Sequence, residues 1–244
     1  MSIFNPFRVH TSSTKNAWDY VFDLTPSHPS QERMDDMKHT YDEIGERAYI
    51  RLSELRSSTG VDAQGEKQPN KSDLYHQLIE NAPSDQVLST FWHRVNHVPS
   101  WVDWEQIARG QDCFYRYGVS FIVGLAFESL LAGMGAARIV ETLSRTGGFG
   151  TRVARRRLYE TMQFILQCTR SVGSLKPGGE GFAAAVRVRL LHAAVRKKIM
   201  HLMDQDSSYY DVNEWGIPIN DLDSIATILS FSATLIWISL PRQG

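Results

Sequence analysis

Apolar residues recur at spacings of three and four through most of the chain, the period of a helix with one buried face. In residues 35–54 they fall at Met37, Tyr41, Ile44, Ala48 and Leu52, which predicts one helix across that stretch. A second helix is expected from Ser72, with Leu74, Leu78 and Ile79 as its stripe, and a third over residues 87–97. The next begins near Ser100 or Asp103, with Trp101 and Trp104 as anchors against the core. Residues 112–131 supply two aromatic-rich helical segments. Their Phe114, Tyr115, Tyr117 and Phe121 read either as core or as the lining for a flat cofactor or a long apolar substrate. A short helix over residues 136–143 ends at Gly147 and Gly148, and an apolar helix (LYETMQFILQCT) follows. Pro177, Gly178 and Gly179 sit poorly inside a helix, so they mark a turn. Beyond Gly181 a long helix runs to Met203. Trp215, Gly216 and Pro218 make another turn, and Asn220 or Asp221 caps a last helix.

Between these segments the period lapses. Residues 1–30, with Pro6, Pro26 and Pro29 among many Ser and Thr, read as an arm. Residues 56–73 are polar, hold too little apolar content to pack, and predict a mobile loop. The pattern as a whole predicts an all-α helical bundle. An arm with helices occupies residues 1–97 and a second region spans 98–244.

Charge and cysteine content narrow the function classes. At 244 residues the chain can bury a substantial core, and its formal net charge of -1 gives no global field for nucleic acid or an anionic membrane. The basic run Arg152, Arg155, Arg156 and Arg157 is local and leads into an apolar helix, so no nucleic-acid partner is expected. Cys113 and Cys168 lie in apolar helical patterns and read as buried free thiols, which points to an intracellular protein. The N-terminus has no apolar run of signal-peptide length. Residues 118–137 are interrupted by Glu128 and Ser129 and read as a buried core helix rather than a membrane span. The apolar run over residues 225–240 is shorter still. The expected location is cytoplasmic or peripheral to an internal membrane.

Two histidine arrangements carry candidate chemistry. His93 and His97 are spaced i, i+4, which suits a metal on one helix face, but no third ligand follows, so a solvated pair is the plainer reading. In the long helix, Arg189, His192 and Arg196 lie at i, i+3 and i+7 on one face. Small or apolar neighbours surround His192: Ala185, Val188, Leu191, Ala193, Ala194 and Val195. A neutral imidazole there suits a metal, and flanking arginines suit carboxylates; a satisfied core histidine is the alternative.

The segment PGGEGF…VRVRLLHAAVR resembles the signature of the latex clearing protein family of rubber oxygenases, which shares its catalytic domain with the ER-bound oxygenases of fungal biosynthetic pathways. The resemblance runs from about Val98, where VPSWVDWE opens the domain, to Phe231. It implies a globin-like helical core holding haem b, with His192 as proximal ligand of the iron and Arg189 and Arg196 beside the cofactor. Arg157, Glu160 and Thr161 match the distal Arg-x-x-Lys-Thr pattern, with Glu160 where some members carry an iron-capping lysine. That exchange implies an open or water-filled distal site. Glu141 precedes Arg157 by the interval of the family's proposed catalytic glutamate. Trp215, Gly216, Pro218, Asn220, Thr227 and Phe231 match a further conserved segment before and within the next helix. The implied activity is oxygenation, with O2, of an apolar polyprenyl or polyketide-derived chain bearing a C=C bond. The family domain normally continues well past this point, so the resemblance also implies a C-terminally incomplete domain. Its apolar end, with Ile225, Ile228, Leu229, Leu235, Ile236, Trp237 and Leu240, would then be exposed and adhere to membranes or to itself. The competing expectation is a non-catalytic helical member that has lost the haem pocket.

Overall fold

The computed structural model describes residues 11–17, 20–59, 73–147 and 150–243. The chain is all-α as the periodicity predicts, apart from one short hairpin. That hairpin, β1 (Thr14–Ala17) and β2 (Tyr20–Asp23), lies in the stretch expected to be a bare arm, and pairs antiparallel with Thr14 opposite Asp23. The Thr14 hydroxyl donates to Asp23 across the pair at 2.6 Å, a contact that spacing alone does not announce.

The helices follow as α1 (Gln31–Met37), α2 (Glu43–Thr59), α3 (Leu74–Asn81), α4 (Gln86–Asn96) and α5 (Trp104–Arg116). Next come α6 (Gly118–Gly124), which continues as a π-helical segment over Leu125–Leu131, then α7 (Ala137–Arg145) and α8 (Thr151–Thr169). A single turn, α9 (Val172–Leu175), leads into the long α10 (Glu180–Gln205). The chain closes with α11 (Val212–Trp215), α12 (Asp221–Ser230), a π-helical segment over Leu235–Ser239, and α13 (Leu240–Gln243).

The single helix expected over residues 35–54 is two. Between α1 and α2 the backbone is claimed by a distant loop: Ile217 N–H donates to the Lys38 carbonyl at 2.8 Å and Asp221 N–H to that of Thr40 at 2.9 Å. Gly216, at φ 76°, makes this approach possible, because a Cβ there would lie 2.8 Å from the Lys38 oxygen. The expected loop also starts later than predicted, since α2 runs to Thr59; residues 60–72 lie outside the described residues.

Helix α10 is the spine. One apolar cluster joins Ala48 and Leu52 of α2, Tyr75 and Leu78 of α3, and Leu88 and Phe91 of α4 to Ala183, Val186 and Leu190 of α10. A second, smaller cluster gathers Phe114, Phe121, Ile165 and Leu235. Caps hold the helix ends in register: Asp85 accepts from Val87 and Leu88 N–H, Asp103 from Glu105 and Gln106 N–H, and Asn220 from Asp223 N–H.

Three burial expectations change. Trp101 does not anchor the core: it is 81% exposed, because it sits in the Pro99–Val102 turn before Asp103 starts α5. Trp104 is half-buried under the Lys176 ammonium, 5.4 Å from its ring centre. Of the four aromatics in residues 112–131, Phe114 and Phe121 are buried, whereas Tyr115 and Tyr117 face solvent. The stretch from α6 through its π-helical extension is not a buried core helix either. Val119, Phe127 and Leu131 are exposed, and besides Phe121 the buried positions are the small or polar Gly124 and Ser129. Gly124 abuts Ser239, and the Ser129 hydroxyl donates to that of Ser230 at 2.9 Å.

The last helix also departs from the sequence reading. From Asp221 to Gln243 it forms 23 continuous residues, long and apolar enough by length and composition to cross a membrane, with 11% of the apolar window buried. Ser, Thr and Pro interrupt the run in sequence and hide its length.

Candidate functional site

The PGGEG turn is a packing device. Gly178 takes φ 86°, which favours glycine. A Cβ on Gly179 would fall 2.4 Å from the carbonyl oxygens of Gly173 and Ser174, and one on Gly181 would fall 2.8 Å from that of Gln167. The bare backbone lets α10 begin in contact with α9 and the end of α8. Glu180 adds an ion pair to Arg170 at 2.8 Å.

From that start α10 presents two different faces. Ala183, Val186, Leu190 and Ala193 are buried. Around His192 the helix is open: Ala185, Leu191 and His192 are exposed, and Val188 and Val195 are half-buried. His192 therefore stands on an accessible, apolar strip rather than inside a packed core.

The flanking arginines reach toward α2. The Asp42 carboxylate receives the Nε–H and Nη2–H of Arg189, and also accepts the Gly45 N–H at 2.9 Å. The Arg189 guanidinium lies over the Phe91 ring, 5.1 Å from its centre. Arg196 is fully buried, stacked 4.4 Å from the Tyr41 ring centre, with Nε 3.6 Å from Glu46 Oε2. At that separation the Glu46 oxygen and the Nε and Nη1 of Arg196 are buried without hydrogen-bond partners. Asp42 and Glu46 had no sequence signal: they are two of 27 acidic residues, and Asp42 lies 147 positions from Arg189.

These charges set the state of the imidazole. Loss of water to the surrounding protein holds His192 below its usual pKa, Arg196 lowers it further, and Asp42 opposes both. The ring reaches solvent, yet protein stands on enough sides to disfavour its charge, so it is neutral at neutral pH. Burial raises the Asp42 carboxyl, but the hydrogen bonds from Arg189 and Gly45 and the charges of Arg189 and Arg196 leave it below the usual range.

The residues expected on the distal side separate into two groups. Arg157 Nη2–H donates to Thr146 Oγ1 at 2.8 Å, at the end of α7, and Glu141 binds Arg145 of the same helix at 2.6 Å. The Tyr209 hydroxyl donates to the Arg145 carbonyl at 3.0 Å, closing a half-buried group around this terminus. Glu160 and Thr161 stay outside it: both are exposed, and Glu160 pairs with Arg156 at 2.8 Å. No hydrogen bond or ion pair among the described residues links either group to His192. Thr227 donates to the Asp223 carbonyl at 2.8 Å, and Phe231 is partly exposed.

Of the surface hollows, one of about 320 Å3 lies beside Phe127, Glu128, Ala132 and Arg242, and another of about 230 Å3 beside Arg109, Asp112, Cys113, Arg116 and Tyr117. Neither is at His192. His93 and His97 do not share a helix face: α4 ends at Asn96, and His97 is extended. Among the described residues no group of three or more His, Cys, Asp or Glu could hold a metal ion.

Residues 115–240, more than half of the chain, match the family model described as ER-bound oxygenase mpaB/B'/Rubber oxygenase, catalytic domain. The matched span contains His192, its two arginines and every distal candidate, and leaves out Asp42 and Glu46. No curated protein and no solved structure matches the chain.

Proposed function

The chain belongs to the ER-bound oxygenase mpaB/B'/rubber oxygenase family, and on that premise we propose that it is a haem b-dependent oxygenase with His192 as the axial ligand of the iron. One observation carries the reading: a neutral imidazole stands on an accessible apolar strip of α10, inside the matched domain. With no group of three or more ligating side chains among the described residues, such a histidine suits a metal that arrives in its own macrocycle rather than a bare ion. Ala185, Val188 and Leu191 suit the apolar edge of a flat ring system. Arg189 and Arg196 already hold α2 carboxylates, so in this reading they support the histidine's helix and do not clamp the cofactor directly.

Haem, when bound, supplies the binding and activation of O2. The chain's own residues do the rest. In this reading Arg157, next to Thr146, would offer N–H donors and positive charge to the reacting groups, and Thr161, exposed outside that group, would add a hydroxyl. Glu141, ion-paired with Arg145 at 2.6 Å, is the assigned acceptor for a proton leaving an allylic carbon. Glu160 is the weaker candidate, being exposed and engaged by Arg156. It offers no amine to cap the iron. The substrate is an apolar chain with a C=C bond, polyprenyl or polyketide-derived, in keeping with the apolar surface of α6 and α12.

A second reading, a helical member without a working haem site, is favoured by a different observation: neither hollow reaches His192, and Glu160 and Thr161 face solvent. One titration separates the two. Adding hemin to the purified chain should give a saturable Soret band, and His192→Ala should abolish or strongly shift it. No Soret band in the wild type supports the second reading. An unchanged spectrum in His192→Ala removes His192 as the ligand.

A further inference from the structure

We propose that Asp42 and Glu46 of α2, outside the matched domain, are positioning residues for the axial histidine: by holding Arg189 and Arg196 they fix the rotation of α10 that aims His192 at the open apolar strip. The inference rests on the reading of His192 as haem ligand.

The geometry is that of a two-point clamp. Arg189 and Arg196 are seven residues apart, two turns, so they leave α10 from nearly the same direction about 10 Å apart along the axis. His192 lies between them, rotated from that direction by roughly 50°. A single anchor would let the helix pivot. Two anchors on one face block both rotation and sliding along the axis. The apolar contacts of α10 with Ala48 and Leu52 are non-directional and involve small residues such as Ala183, so by themselves they define the rotation poorly.

The clamp is also built at a cost to stability. Arg196 is the only charged side chain among the fully buried described residues. Its Nε and Nη1, and Glu46 Oε2 opposite, are buried with no hydrogen bond. A buried ion pair left this way is a poor source of stability compared with packed apolar side chains; its attested use is to specify register. The other anchor is braced on every side: Asp42 is tied to the first turn of α2 through Gly45 N–H, and Arg189 is stacked on Phe91. The clamp therefore transmits the position of α2 to the one turn of α10 that carries the ligand.

The test uses the full chain loaded with hemin, in four variants. Asp42→Asn and Glu46→Gln remove the anchoring charge with little change of shape. Arg189→Lys and Arg196→Lys keep the charge and lose the planar guanidinium. Glu180→Gln, which breaks the remote pair with Arg170, is the control. The readouts are the Fe–His stretching band in resonance Raman spectra of the ferrous form and the rate of haem transfer to apomyoglobin. Asp42→Asn and Glu46→Gln should shift or broaden the band and speed haem loss about tenfold. The lysine variants should show the same change more weakly, and the control should match the wild type. Unchanged band and loss rate in all four variants, or equal changes in the control, overturn the inference. If His192→Ala also keeps haem unchanged, the haem reading itself has failed; if His192→Ala loses haem, only the clamp has.

Discussion

At the scale of single residues, two titrations run in opposite directions. The unfolded chain takes up a proton at His192 near pH 6.5, while folding lowers that value. Above pH 6.5 both states are neutral there and nothing is gained or lost. As pH falls below 6.5 the unfolded state protonates first, so His192 increasingly opposes folding until its folded pKa is passed. Asp42 is the reverse case. Its folded pKa lies below 3.8, so its ion pair stabilises the fold above that pH and fades as pH falls through the folded value. Denaturant unfolding of the haem-free protein at stepped pH should therefore show less stability loss below pH 6.5 for His192→Ala than for the wild type. Asp42→Asn should be less stable at neutral pH and flatter below pH 4. Curves for Asp42→Asn that overlay the wild type would show that the pair contributes nothing. Burial pushes the Cys168 thiol up to about 11. Alkylation of Cys168 by iodoacetamide at pH 8 should accordingly be far slower than that of a small free thiol, because the thiolate is the reactive form.

At the scale of elements, the approach of α10 to α8 and α9 sets Gly179 apart from the glycines with open space around them. Gly179→Ala drives a Cβ into two backbone carbonyls that no rotamer change can move. It should cost at least ~1–3 kcal/mol, the usual range for overpacking. In a chain of this size that is a drop in Tm of about 2–4 °C for each kcal/mol. Gly110, inside α5, has open space where its Cβ would be, so Gly110→Ala should be neutral or stabilising by up to ~1 kcal/mol. Thermal unfolding of the two variants side by side checks both; equal midpoints would mean that the close approach at Gly179 is not made in solution.

At the scale of the whole molecule, many large apolar side chains of α6, α12 and the segments that continue them face outward. Val119 is 79% exposed and Trp237 75%, and Phe127, Leu131, Ile228 and Ile236 are exposed with them. Where these helices meet, Gly124 abuts Ser239 and Leu235, Ser129 bonds Ser230, and of the large apolar side chains Phe121 and Leu235 are buried. Exposed apolar patches of this kind mark contact surfaces, and the expectation that this one meets a membrane or a second copy can be tested. Expressed as these 244 residues, the protein should elute as an assembly or require detergent. Ile228→Lys with Trp237→Lys should raise the monomer fraction in light-scattering chromatography without lowering Tm, since neither side chain is in the core. A monodisperse wild-type monomer without detergent would defeat this.

The residues alone determined most of the helices, because helical periodicity and capping are local: an apolar stripe, an Asp103 or Asn220 cap and a PGG turn each act within a few positions. The same locality singled out His192 as a candidate, since its small neighbours and flanking arginines sit within one turn or two. Tertiary structure decided what those side chains face. Nothing near Asp42 announces that it will meet Arg189, and the break between α1 and α2 comes from a loop 180 residues away that claims the Lys38 and Thr40 carbonyls. Trp101 and the apolar face of α6 read as core by composition, yet point outward, because a helix's own pattern says that one face is apolar and not which neighbour, if any, will cover it.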